Sequence, residues 1–411
     1  MEASIVPLKD LCQNYKDDIV DGPFGANLKR QHYQTEGVPV LKIQNIEAFG
    51  ITLKKMDYVT TEKYEELRRH SYQPGDIIMT KLGDPLGESA IVDDIDNGLI
   101  VADLVRIRAQ KIDTRYLCYH LNSPVTSSYI NAQQKGTTRP RVRISVVRDL
   151  PIFVPPIAEQ KRIVAILDQA FVDIEKARAL TEQNLKNACE LFESYLHQVF
   201  SQRGEGWSEA KLQDFCEQIT VGHVGSMASK YKTAGIPFLR SQNVRPFRVS
   251  MVGMQWIDED FNAELKKSQL SPGDVAIVRT GYPGTAAVIP ESLPLANCSD
   301  LVIARTKPSL SPHFLELFLN SSFGKALVGA NLVGAAQKHF NVTAAKNVLF
   351  AAPAIGEQDR IVEEASSFRR QITEVERLYD QKIIALEELK KSILQKAFSG
   401  ELTKEVTEAA A

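Results

Sequence analysis

From Glu159 to about Phe200, and again from Glu357 to about Phe398, the chain carries no proline or glycine, and apolar residues return in alternating steps of four and three. In the first stretch these are Ile163, Leu167, Ala170, Ile174, Ala177, then Ala188, Leu191 and Tyr195. In the second they are Ile361, Ala365, Phe368, Ile372, Val375, Tyr379, Leu386, Leu389 and Ile393. Such a heptad seam, narrower than an ordinary amphipathic face, predicts two long helices that pack against a partner helix. Prolines just ahead of each stretch, with Glu159 and Glu357 in the first turn facing the positive end of the dipole, are the expected helix openings. Thr181, Asn184 and Lys382 interrupt the seams with polar groups, which lower stability but restrict register. Elsewhere the pattern shifts to short β-rich runs such as "GVPVLKI" from Gly37, "GDIIMTK" from Gly75 and "LIVADLVRIRA" from Leu99, punctuated by glycine and proline. These predict compact α+β domains.

The pattern is duplicated. "GVPVLKIQNI" from Gly37 returns as "GIPFLRSQNV" from Gly235, 198 positions later, and "QPGDIIMTKLGDP" from Gln73 returns as "SPGDVAIVRTGYP" from Ser271 at the same interval. So do the helix entrances, "PPIAEQKRIVAIL" from Pro155 and "PAIGEQDRIVEEA" from Pro353. A constant interval over most of a half-chain marks a tandem duplication. Because the first long helix runs from the first globular part to the second, and the second helix starts from the second part, pairing within the chain must be antiparallel. That arrangement has approximate two-fold symmetry about a rod of about forty residues, roughly 60 Å at 1.5 Å per residue. Pairing of each seam between molecules is the alternative.

Comparing the halves separates frame from insert. The segment from Lys135 to Arg148, "KGTTRPRVRISVVR", holds Lys135, Arg139, Arg141, Arg143 and Arg148 without an acidic residue. Its counterpart from Val333 keeps the glycine and brings Gln337, Lys338, His339 and Asn341 instead. Arginine donates two parallel hydrogen bonds to guanine, glutamine and asparagine pair with adenine, and further cations hold phosphates. Two equivalent loops with different inserts would read two different short sequences; a solvated basic strand edge is the plainer reading. A second candidate follows Pro-Gly-Asp, where Lys81 and Arg279 stand beside Gly83 and Gly281. A glycine-proline turn that closes a hairpin explains it equally well. The candidate DNA contacts are thus Lys29, Lys42, Lys81, Lys135, Thr137, Thr138, Arg139, Arg141 and Arg143 in the first half. In the second half they are Arg240, Arg279, Tyr282, Gln337, Lys338 and His339.

Composition adds exclusions more than assignments. Five scattered cysteines without a C-x-x-C pair suggest neither a disulfide framework nor a zinc cluster. The amino terminus lacks a basic stretch followed by an apolar run and no segment has the uninterrupted apolar length of a membrane span, so the expectation is a cytoplasmic protein without membrane contact. A net charge of -2 gives no global sign of nucleic-acid binding. No phosphate loop, G-x-G-x-x-G or i, i+4 histidine pair is present, and "VPPI" at Val154 lacks the asparagine that binds an amino group. Glu159-Gln160-Lys161 becomes Glu357-Gln358-Asp359 in the twin, so it belongs to the helix start and not to nuclease chemistry.

"DGPFGANLK" (Asp21 to Lys29), "GVPVLKIQNI", "PGDIIMTK", "GTTRPR" (Gly136 to Arg141), "PPIAEQKRIVAIL" and "SILQKAFSGEL" (Ser392 to Leu402) together resemble the specificity subunit of type I restriction-modification systems. The resemblance spans nearly the whole chain, although "DGPFGANLK" has only a weak echo in "TVGHVGSMAS" from Thr220. It implies an α+β fold with two tandem target-recognition domains separated by two long helices in an intramolecular antiparallel coiled coil with pseudo-two-fold symmetry. On that plan residues 1–157 and 204–355 are the recognition domains, 158–203 and 356–402 the helical spacers, and 403–411 a tail. It implies a non-catalytic chain bound to double-stranded DNA, two copies of an adenine methyltransferase and motor-nuclease subunits. S-adenosylmethionine, ATP and magnesium are expected in those partners and no cofactor in this chain. A repeated coiled-coil scaffold that holds other proteins, and a solitary DNA-modifying enzyme with unrecognised catalytic residues, are the alternatives.

Overall fold

The computed structural model describes residues 4–134, 140–332, 339–399 and 401–402. The chain divides into two compact units, one made of the residues up to Thr181 with those from Gln381 on, the other of Glu182–Asp380.

In the first unit the strand order of one sheet is Ile19–Asp21, Leu104–Ile107, Ile77–Thr80, Ser89–Ile91, antiparallel throughout. A second sheet runs Asp57–Val59, Val38–Leu41, Gly98–Ile100, Ser71–Tyr72, with its two central strands parallel. The run "IIMT" is buried at every position because both faces of that strand are covered. Ile77 and Met79 join the core shared with the long helices, whereas Ile78 points into the core beneath the second sheet. Burying each such side chain stabilises by about 1.5–3 kcal/mol. Ser4–Pro7 pairs with Pro151–Val154 and closes the globular part just before the long helix begins.

The second unit repeats this plan strand for strand. One sheet is Cys216–Val221, Leu301–Thr306, Val275–Val278, Ala286–Val288, the other Gln255–Ile257, Ile236–Leu239, Ala296–Cys298, Gln269–Leu270, and Ser208–Lys211 pairs with Leu349–Ala352. Val275 and Ile277 face one core, Ala276 and Val278 the other.

The residues retained between the halves are structural ties. Asn45 is buried, accepts from the Lys42 amide at 3.0 Å and donates to the carbonyls of Thr52 and Lys54; Asn243 does the same with Arg240, Ser250 and Val252. Gly75 and Gly273 sit at φ +89° and +87°, a turn that a β-carbon would strain, which explains the glycine of Pro-Gly-Asp. The aspartate that follows is buried and paired: Asp76 accepts two 2.7 Å bonds from Arg108, and Asp274 pairs with Arg305 at 3.2 Å.

The long helices are Ile157–Gln202 and Ile355–Ser399. The repeated Glu-Gln at their starts is a latch. The buried Gln160 donates to the Pro155 carbonyl at 2.8 Å and accepts from the Asp113 amide at 2.9 Å. Gln358 repeats both bonds with Pro353 and Ser311. In the first unit Ile163, Val164 and Leu167 share a core with Leu394, Ala397 and Phe398, and Arg178 meets Glu387 at 3.1 Å while Lys390 meets Glu175 at 3.3 Å. In the second, Phe192, Leu196 and Phe200 share a core with Ile361 and Ala365, and Tyr195 donates to Glu364 at 3.4 Å. Rising numbers on one helix meet falling numbers on the other, so the pair is an antiparallel coiled coil within the chain.

The seam departs from the heptad reading at two positions. Leu191 and Leu389 are 60% and 47% exposed, and Phe192 and Lys390 turn inward in their place. After Leu167, Ile174 and the buried Thr181, the next buried position is eleven residues on, at Phe192. A straight helix drifts against a strict seven-residue repeat, and here the drift moves the buried line by one residue. Tyr195, Phe368, Ile372 and Ile393 are half-buried against the cores, and Ala170, Val375 and Leu386 are half-buried.

Candidate nucleic-acid interface

Strand Ile77–Thr80 ends at Lys81, whose ammonium lies 2.5 Å from Asp21 and 4.8 Å from the centre of the Phe24 ring. The same lysine anchors the basic segment: its carbonyl accepts from the Val142 amide at 3.0 Å, Gly83 donates to the Pro140 carbonyl at 3.0 Å, and Leu82 bridges to Arg141. The two loops singled out from the sequence are therefore one surface in the first unit. Arg141 and Arg143 are exposed on it, and Arg143 immediately precedes the short helix Ile144–Arg148. Phe24, next to the Lys81 ammonium, has 62% of its surface exposed. A lysine at an outward-facing phenylalanine ring and two exposed guanidinium groups suit phosphate binding and base stacking.

The second unit builds the same junction from other residues. Arg279 pairs with Asp300 at 3.3 Å, and its carbonyl accepts from the Phe340 amide at 3.1 Å, the counterpart of the Val142 bond. Tyr282 is 78% exposed. His339 comes next to that junction, half-buried, and its Nδ1 has no hydrogen-bond partner among the described residues.

Not every candidate reaches this surface. Lys42 is half-buried, paired with Asp57 and lying 4.1 Å from the Tyr33 ring centre, while Arg240, 198 positions on, donates to the Gly253 carbonyl at 2.7 Å beneath Tyr231. Both are cations of the frame, stacked on equivalent tyrosines. Lys29 is exposed on the segment that follows Phe24. Lys135, Thr137, Thr138, Arg139, Gln337 and Lys338 lie outside the described residues, as does the tail 403–411.

Comparison with known proteins fits this geometry. Residues 6–183 match the family model described as the type I restriction modification DNA specificity domain. The type I restriction enzyme EcoBI specificity subunit of Escherichia coli is 22% identical over 325 residues, 73% of this chain and 68% of that protein. The matched segment, residues 6–183, is thus similar to a type I restriction modification DNA specificity domain. Among solved structures, a chain from a study of assembly and conformational transition of the type I R-M system matches with TM-score 0.75 at 20% identity, covering 98% of both chains. The HsdS subunit of Thermoanaerobacter tengcongensis matches with TM-score 0.57 at 19% identity, covering 97% of both. These likenesses place the fold in the same class.

The sequence relatives are specificity subunits of type I restriction enzymes. Among the described residues no cluster of histidine, cysteine and carboxylate side chains could hold a metal ion, and no helix is long and apolar enough to cross a membrane. The exposed residue of this surface missed in the sequence is Phe24. Its signal was an aromatic between Pro23 and Gly25, in a turn where neither neighbour can help bury it.

Proposed function

We propose that this chain chooses the DNA target of a type I restriction-modification complex, reading a two-part sequence with one recognition domain per part. The observation that carries the reading is the junction at Lys81: a retained backbone frame presents Phe24, Arg141 and Arg143 in one unit, and Tyr282 with His339 in the other. One frame with two different tips is what reading two different half-sites requires. The helix pair acts as the ruler that sets the gap between the half-sites. The duplicated units offer two equivalent docking faces, so two copies of an adenine methyltransferase bind one chain and motor-nuclease subunits complete the complex. S-adenosylmethionine, ATP and magnesium act in those partners.

The test is to map modified adenines in cells carrying the complex with Arg141→Ala and Arg143→Ala. Each lost base contact reduces discrimination by about 1–3 kcal/mol. The expected outcome is a relaxed sequence in one half-site with the other unchanged. A modification map in which both half-sites or neither is altered refutes the assignment.

A further inference from the structure

A hairpin tip touches the helix pair in each unit, and in both a phenylalanine holds a backbone conformation rare for bulky residues: Phe49 at φ 68° and Phe247 at φ 63°, 198 positions apart. Phe49 packs edge-on against Phe171 of the first long helix, with ring centres 5.4 Å apart. Lys390 of the second helix lies 4.7 Å from the Phe171 ring centre and 5.7 Å from that of Phe49. Phe247 meets Phe192 of the first helix at 6.0 Å, and the Arg369 guanidinium of the second helix lies 4.3 Å from its ring centre.

The four helix residues occupy two duplicated positions. Arg369 stands 198 residues after Phe171, and Lys390 stands 198 after Phe192. The duplication therefore began with like residues at these positions and ended with both rings on the first helix and both cations on the second. If two second helices from different copies paired in the same antiparallel register, Arg369 would face the second copy's Lys390. Burial works against the Arg369 charge more than the nearby Glu316 and Glu376 carboxylates favour it, and Arg248 adds repulsion, so a second cation there would be poorly tolerated. Two first helices would face ring to ring.

We infer that Phe171, Phe192, Arg369 and Lys390 form a pairing code: a ring on the first helix with a cation on the second, in direct contact at Phe171 and Lys390 and joined through the Phe247 ring at Phe192 and Arg369, selects the first helix with the second, and cation against cation rejects a second copy of this chain in the self-paired arrangement. The code is a matter of complementarity across the pair, so exchanging ring and cation in one unit alone erases it while keeping the local contact. With Phe192→Lys and Arg369→Phe, each helix carries one ring and one cation, and self-pairing becomes as complementary as the native pairing. Exchanging the other unit too, with Phe171→Arg and Lys390→Phe, restores the asymmetry.

Cys189 reports the outcome. It is the exposed cysteine of the five, its Sγ 3.4 Å from Glu376, and the residue 198 positions before Glu376 is Arg178. In self-paired first helices Cys189 therefore faces position 178 of the second copy. The experiment uses the full chain carrying Arg178→Cys, oxidised mildly over a range of concentrations and run without reductant, with melting measured in parallel. The expected result is little covalent dimer in that background and a severalfold rise on adding Phe192→Lys with Arg369→Phe. The fourfold exchange should return to the low level. The exchanged chain should melt within a few degrees of its parent and above Phe192→Lys alone. The code is overturned if dimer is abundant in the background, if it fails to rise in the exchanged chain, if it persists after the fourfold exchange, or if the exchanged chain melts no higher than the single variant or does not fold.

Discussion

At the scale of single residues, the buried groups carry measurable consequences. His120 is buried, accepts from the Phe153 amide at 3.1 Å and lies 4.7 Å from the Phe398 ring, and burial pushes its pKa down to about 4. The unfolded chain binds this proton near the ordinary value of about 6.5, so stability present at neutral pH is lost as pH falls from about 6.5 to about 4, and no more is lost below. The expected loss is of order 3 kcal/mol, and His120→Gln should flatten that part of the pH-stability curve, measured by denaturant unfolding. The residue scale is also where sequence and structure diverge most. Lys42 and Arg240 read as surface cations because nothing in a linear string shows a tyrosine nine residues earlier folding beneath them, although Tyr33 and Tyr231 are themselves duplicated. Lys81 and Arg141 were legible as basic residues, but their union in one surface depends on strand pairing that leaves no compositional trace.

At the scale of elements, existence was easier to read than register. Both long helices follow from the absence of proline and glycine and from periodicity alone, and the central strands from unbroken apolar runs. The buried line near Leu191 was not readable, because leucine satisfies the spacing as well as phenylalanine does and the choice rests on which side chain finds the hairpin tip. The helix latch gives a direct test. Gln160→Ala leaves the Asp113 amide and the Pro155 carbonyl without their partner, each unmet group costing about 1–3 kcal/mol, so a lowered melting temperature is expected. Gln160→Glu removes the donor but keeps the acceptor; it should fall between the two, and equal stability of all three chains would show that the latch contributes nothing.

At the scale of the whole molecule, the constant interval of 198 residues exposed the duplication, and with it the two-unit plan and the direction of the helices, before any coordinate was known. The chemistry at the tips was legible only as residue types. If the helices set the gap between half-sites, deleting one heptad from each removes about 10 Å at 1.5 Å per residue, close to 3 base pairs at about 3.4 Å each. Modification mapping should then show a gap shortened by about that amount with both half-sites intact, and an unchanged gap would refute the ruler. The latches at Gln160 and Gln358 reach beyond folding. They grip main-chain amides and carbonyls, which every polypeptide has, and so ask almost nothing of the side chains in the domain they secure. On the proposed function, such clasps leave one recognition domain exchangeable for another by recombination without loss of its junction with the helices.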